Sequence, residues 1–211
     1  NTWAFKKVVL ICLKNRWIQH DPFAAFKLTK KPVIKQALNQ EELQRIIDKR
    51  FLNARLEAVR DIFLFSCYTG LAYIDIKQLK RSDIGEGIDG GQWIFTARQK
   101  TDVPTRIPLL PEAIAILQKY QDHPKCANEG MALPVLSNQK MNSYIQEIGD
   151  RCEIKIKLTF HLARHIFATT ILLSNGVPME TVSKLLGHST VIQTQHYAKL
   201  LDVRVSHDMA E

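Results

Sequence analysis

The chain of 211 residues carries 29 Lys and Arg against 21 Asp and Glu, a formal net charge of +8, with a sequence pI of about 9.4. Its 45% hydrophobic and 24% charged residues are the balance of a folded globular domain, and no stretch is long and apolar enough to span a bilayer as a helix. A basic excess suits a polyanionic partner, nucleic acid or an anionic surface, although a soluble protein can be basic without one.

Residues 3–19 place Trp3, Val8, Leu10, Ile11, Leu13, Trp17 and Ile18 at helical spacing, and Asp21-Pro22 breaks the pattern. Lys27–Lys35, with Pro32, reads as an extended, lysine-rich connector. Asn39 followed by Glu42 is the pattern of a capping box and opens a helix to about Lys49. Residues 54–68 form a longer amphipathic helix through Leu56, Val59, Ile62, Phe63 and Phe65, stopped at Gly70. Tyr73–Leu79 reads as a short helix, and the glycines from Gly85 to Gly91 as loop and turn, without the spacing of a phosphate-cradling fingerprint. Trp93–Arg98 and Val103–Leu109 alternate as the strands of a hairpin with its turn at Gln99–Asp102. Pro111 opens a helix through Gln121, residues 122–138 read as loop, and Met141–Cys152 as a further helix. The sum is a mainly α domain with a small antiparallel β-sheet. Cys12, Cys67, Cys126 and Cys152 form no Cys-x-x-Cys pair; they read as reduced thiols of a cytoplasmic protein, not as zinc ligands or a disulfide framework. There is no signal peptide, and a start without Met inside a helical pattern reads as a piece of a longer protein.

The densest chemistry lies near the C-terminal end. Thr159 is an N-cap candidate and Gly176 a stop, so His161 and Arg164, three apart, share a helix face. Pro178 opens a second helix that ends at Gly187, which puts His188 on a turn. Thr190 and Gln193 suggest another capping box, with Tyr197 at or past the end of that helical turn. An imidazole, a guanidinium, a second imidazole and a phenol, in this order, suit attack by the phenol on a phosphodiester. His161 and His165, four apart, also match a zinc-binding helix, but the glutamate of that motif is absent and Arg164 would set a cation beside the metal.

His161-x-x-Arg164, then Leu186-Gly187-His188, then Tyr197 nine residues on resembles the signature of the tyrosine recombinases, the phage-type integrases. The resemblance covers roughly residues 37–211 and implies the fold of their DNA breaking-and-rejoining catalytic domain, with residues 1–36 as the last helix of a core-DNA-binding domain and a linker. It implies Tyr197 as nucleophile, forming a 3'-phosphotyrosyl link and freeing a 5'-hydroxyl without ATP, metal or other cofactor. Arg164 would hold the non-bridging oxygens, His161 would assist the phenol proton or donate to the same oxygens, and His188 would donate from its turn. Lys100, on the hairpin, would be the general acid for the 5'-oxygen, a role that suits a lysine beside other cations. Double-stranded DNA at recombination sites, a homo-tetramer on two duplexes and accessory DNA-bending proteins are the partners implied. A bacterial, nucleoid-associated location follows from the same likeness, and the tail 201–211 would dock on a neighbouring protomer.

One position departs from the pattern. The family's first catalytic arginine follows Thr-Gly-Leu, and here the text is Thr69-Gly70-Leu71-Ala72, although Asp75 matches the acidic residue that braces that arginine. Either the domain is weak or dead, or another arginine supplies the charge. Arg98 is the first candidate, because it sits two residues before Lys100 and shares its strand face; Arg106 on the facing strand is the second. Integrases of conjugative transposons resemble the chain in lacking the usual first arginine, which favours relocation. A type IB topoisomerase, a DNA-binding module without catalysis, and a metalloenzyme built on His161 and His165 are the other readings.

Overall fold

The computed structural model describes residues 2–24, 38–99, 103–188, 190–195 and 197. It divides into two compact units, Asn1–Ile34 and Lys35–Glu211. The expected connector at 27–35, the hairpin tip at 100–102 and the tail at 201–211 lie outside the described residues.

The first unit is built on α1 (Thr2–Lys14). This helix ends five residues earlier than its periodicity suggests. Trp17 N–H donates to the Cys12 carbonyl at 2.9 Å and Arg16 N–H to the Leu13 carbonyl at 3.0 Å, with Arg16 left-handed at φ +57°. That is a Schellman stop, made by an arginine where glycine is usual, so composition does not announce it. Phe5 and Phe23 close the unit edge to face, with ring centroids 5.8 Å apart.

The second unit starts at α2 (Gln40–Asp48). Its capping box forms as the sequence suggests, with Glu42 N–H donating to Asn39 Oδ1 at 2.6 Å and Asn39 N–H to Glu42 Oε2 at 2.8 Å. Then comes α3 (Ala54–Thr69), the axis of the domain. Every residue from Asp61 to Thr69 is buried, so the helix is covered on all sides rather than amphipathic along its whole length. It packs against α5 (Pro111–Lys119), α7 (Asn138–Arg151) and α8 (Phe160–Ile166). Phe63 meets Phe160 edge-on, ring centroids 6.2 Å apart. Burying a side chain of that size stabilises by about 1.5–3 kcal/mol. The one carboxylate sunk in this helix, Asp61, is met by Lys119 Nζ at 2.8 Å, Tyr120 hydroxyl at 2.8 Å and Arg60 Nη2 at 2.7 Å, which ties α3 to the end of α5.

Between α3 and α5 the chain forms α4 (Tyr73–Gln78) and an antiparallel sheet in the order β1–β2–β3: β1 (Ile84–Glu86), β2 (Gln92–Ala97) and β3 (Pro104–Pro108). β1 falls where the glycines suggest only loop; Ile84 pairs with Ile94 and Glu86 with Gln92, making a third strand. The segment 122–138 likewise holds a short helix, α6 (Pro124–Glu129), opened by Pro124 and closed by left-handed Gly130. α8 runs on through a π-helical stretch, Phe167–Leu172, and a 3-10 turn, Leu173–Asn175, to Gly176 at φ +77°. α9 (Met179–Leu185) follows, and helical residues resume at 192.

Candidate active site

The site forms where the end of α3, the start of α4, the end of β2, α8 and the segment after α9 converge. Gly70 caps α3 in the left-handed region, φ +65°, and its N–H returns to the Ser66 carbonyl. A Cβ there would run into the Phe167 ring, so glycine is required twice over. The turn points the Gly70 carbonyl at two guanidiniums. Arg164 Nη1 donates to it at 2.9 Å and Arg98 Nη2 at 3.3 Å. Arg164 Nη2 also donates to the Leu186 carbonyl, at the end of α9.

Ala72 occupies the N-cap of α4, and Asp75 lies one turn in. The Asp75 carboxylate is buried and used on several sides. Arg98 Nη1 donates to Oδ2 at 2.9 Å, Gln99 N–H to Oδ1 at 3.2 Å, and Ala72 N–H reaches Oδ2 at 3.4 Å. The acidic residue expected to brace an arginine at position 72 therefore braces Arg98, which arrives from the neighbouring strand.

Strand alternation explains why Arg98 arrives and Arg106 does not. On β2, Ile94 faces the core while Phe95 faces out; Arg98, four residues past Ile94, falls on the inward side. On β3, Thr105 and Ile107 face in, and Arg106 pairs with outward Phe95 and is exposed. Arg106 is thus removed as the second candidate. Arg98 is 5% exposed, and its Nε has no hydrogen-bond partner among the described residues. Its stem crosses beneath Gly187, φ +61°, where an added Cβ would stand 2.8 Å from Thr105 Oγ1 and 3.0 Å from Arg98 Cγ.

Tyr197 is buried among Phe167, Ala168, Leu172, Val182 and Leu186. Its ring stacks on His188, centroids 6.0 Å apart and planes at 14°, and lies against His165 at 4.9 Å and 53°. His188 Nδ1 and Thr194 Oγ1 are 2.9 Å apart. His161, at the exposed start of α8 behind the Thr159 cap, meets His165 with Nε2 to Nε2 at 3.0 Å. Tyr197 also lies close enough to the Arg164 guanidinium to act on its charge.

The charges do not cancel. Asp75 pairs with Arg98, while Arg164 donates to the Gly70 and Leu186 carbonyls, which leaves an excess positive charge at a largely buried site. Burial, and then the charge of Arg98, pulls Arg164 down to about 10, against its attraction to Tyr197. Burial also lowers Arg98, opposed by its ion pair with Asp75 and by Tyr197. Burial lowers His188 to about 4, helped by the charges of Arg164 and Arg98. At neutral pH the site therefore sets two charged forks beside the neutral His188 imidazole, an arrangement that favours a phosphate-sized anion.

The structure brings together Arg98, Asp75, Arg164, His188 and Tyr197, with His161 joined through His165. Lys100 lies outside the described residues. Two members escape the sequence reading as parts of this site: His165, weighed there only as a metal ligand, and Thr194. Among the described residues no group of three or more His, Cys, Asp or Glu could hold a metal ion.

Residues 36–204 match the family model described as Phage integrase family. Tyrosine recombinase XerD of Listeria monocytogenes (serotype 4b, strain F2365) is 28% identical over 204 residues, which cover 89% of this chain and 66% of that protein. The chain thus spans just under two thirds of that relative's length. In fold it is similar to a lambda integrase dimer bound to a core site (TM-score 0.74, 19% identity, 92% of this chain and 69% of that one). It is also similar to the Tn1549 transposon integrase in complex with a circular intermediate DNA (TM-score 0.67, 18% identity, 91% and 71%).

Proposed function

Because the chain belongs to the phage integrase family, we propose that it is the catalytic part of a site-specific DNA recombinase of a mobile element, cleaving and rejoining strands through Tyr197. The phenol oxygen attacks a backbone phosphorus as its proton leaves with assistance from His161. The bond from phosphorus to the 5'-oxygen breaks, and that oxygen takes a proton from Lys100. The 3'-phosphotyrosyl link keeps the ester energy, so the reverse attack by a 5'-hydroxyl reseals the strand without a nucleotide or metal cofactor. Arg164 and Arg98 hold the two non-bridging oxygens, and neutral His188 donates to one of them. Residues 1–36 are the last helix of a core-DNA-binding domain and the linker that follows it. The chain acts as a homo-tetramer on two duplexes at attachment sites, with accessory DNA-bending proteins, in the bacterial cytoplasm.

The observation that carries this reading is the Arg98–Asp75 pair at 2.9 Å. It supplies a second guanidinium beside Tyr197 and Arg164 although position 72 is alanine. Ala72 favours the rival reading, a DNA-binding module without catalysis, and Arg98 is what weighs against it.

A nicked suicide duplex carrying the element's end, incubated with the protein in EDTA, tests the choice. A covalent protein–DNA band that disappears in Tyr197→Phe is expected. No band while the duplex is still bound would leave only the binding module.

A further inference from the structure

The i, i+4 pair on α8 has one member, His165, that the reaction above does not use. His165 is 3% exposed and stands between two groups that the reaction does use. On one side its Nε2 lies 3.0 Å from His161 Nε2, the rings meeting edge to face with centroids 4.4 Å apart. On the other, its ring lies against Tyr197, centroids 4.9 Å apart.

Two ring nitrogens at this separation share one proton. With a proton on each, N–H would face N–H; with none, two lone pairs would oppose each other. The two neutral rings must therefore adopt complementary tautomers, and the pair cannot carry two positive charges. Any second contact of the His161 ring then runs through Nδ1. Whether Nδ1 is a bare acceptor or an N–H donor is decided by which way the shared proton sits. That choice separates the two roles open to His161, accepting the phenol proton or donating to a phosphate oxygen.

We propose that His165 is a positioning residue for strand cleavage: it fixes the tautomer and ring plane of His161 while backing the Tyr197 ring, so that imidazole and phenol meet the same phosphate. This rests on the DNA-cleaving reading above. His165 touches no reacting atom; it acts through its two neighbours. Tyr197, which the His165 ring touches, is in turn stacked on His188 and acts on the charges of Arg164 and Arg98.

The test uses the 211-residue chain labelled with 15N in its histidines, read by two-bond 15N–1H spectra, beside covalent-adduct rates on the nicked duplex. Wild type is expected to show His161 and His165 each locked in one tautomer, opposite at Nε2. His165→Phe keeps a ring against Tyr197 but removes the nitrogen. His161 should then average between tautomers as an exposed imidazole does, with the adduct rate falling at least about tenfold. His165→Gln places an amide near the lost Nε2 and should restore a single tautomer and most of the rate. Averaged tautomers at His161 in wild type would overturn the proposal. So would a wild-type adduct rate in His165→Phe, or equal slowing in both variants with His161 unchanged. Should neither variant fold, the wild-type spectra decide. If wild type binds the duplex but forms no adduct, the recombinase reading fails, and the spectra still judge the histidine pair.

Discussion

At the residue scale the Asp75–Arg98 pair decides most. Each partner is nearly dry, so removing one leaves a charge without compensation, at a cost of about 3–5 kcal/mol. Arg98→Ala should lower stability by that order and abolish the covalent adduct, measured by denaturant unfolding and by the suicide duplex. Arg98→Lys cannot repair this fully, because a lysine offers a point charge where Arg98 spreads its fork over Asp75, Gly70 and Leu185. Adding Ala72→Arg to Arg98→Ala should restore adduct formation, since position 72 begins the helix that carries Asp75; a double variant as inactive as the single would show that the pocket admits only one geometry. How far such a pair can be read in one dimension is instructive. Arg164, His188 and Tyr197 stand out by spacing. Arg98 is reached indirectly, through an alanine that leaves an acid without its partner and a strand period that offers a replacement. His165 and Thr194 are not reached as parts of the site, because helical spacing cannot tell a ring turned into a site from one turned into a core.

At the element scale, the turn after α9 and the end of β2 are one packing unit. Gly187 lies over the Arg98 stem and Thr105, so the glycine between leucine and histidine has a steric task as well as a conformational one. Gly187→Ala should cost about 1–2 kcal/mol from the left-handed backbone alone and push Arg98 from Asp75. Its adduct rate should therefore fall further than its midpoint of unfolding implies; a rate that follows stability alone would show that the contact is slack. The elements that sequence does not reveal, β1 and α6, are three and six residues long. Both are too short to display a period; β1 exists because β2 supplies its pairing, and α6 because Pro124 opens and left-handed Gly130 closes its turns. The stop of α1 at Lys14 is hidden for another reason: Trp17 and Ile18 continue the helical spacing beyond an arginine that turns left-handed. Capping residues with side-chain bonds, such as Asn39 and Thr159, are readable because their chemistry is local.

At the scale of the whole molecule, a chain with a net charge of +8 has a site that adds to its positive field. His188 makes that cost visible in the dependence of stability on pH. Its ordinary value of 6.5 falls to about 4 in the fold, so the unfolded chain binds the proton first. The stability held by the neutral ring is complete above about 6.5 and is withdrawn as the pH drops toward about 4. Melting temperature should therefore decline across this window, and His188→Gln should flatten part of the decline; an unchanged slope would place the acid sensitivity in other groups.

The carboxylate at the start of α4 has a further consequence, for ancestry. Asp75 Oδ2 is met by the backbone N–H of position 72, at its own helix start, and by the Arg98 guanidinium from the strand, so an arginine at either position starts close to the same carboxylate. A chain carrying arginine at both places lies one substitution from either arrangement. A route from one layout to the other through the double-arginine chain would keep an arginine beside Asp75 at each single change.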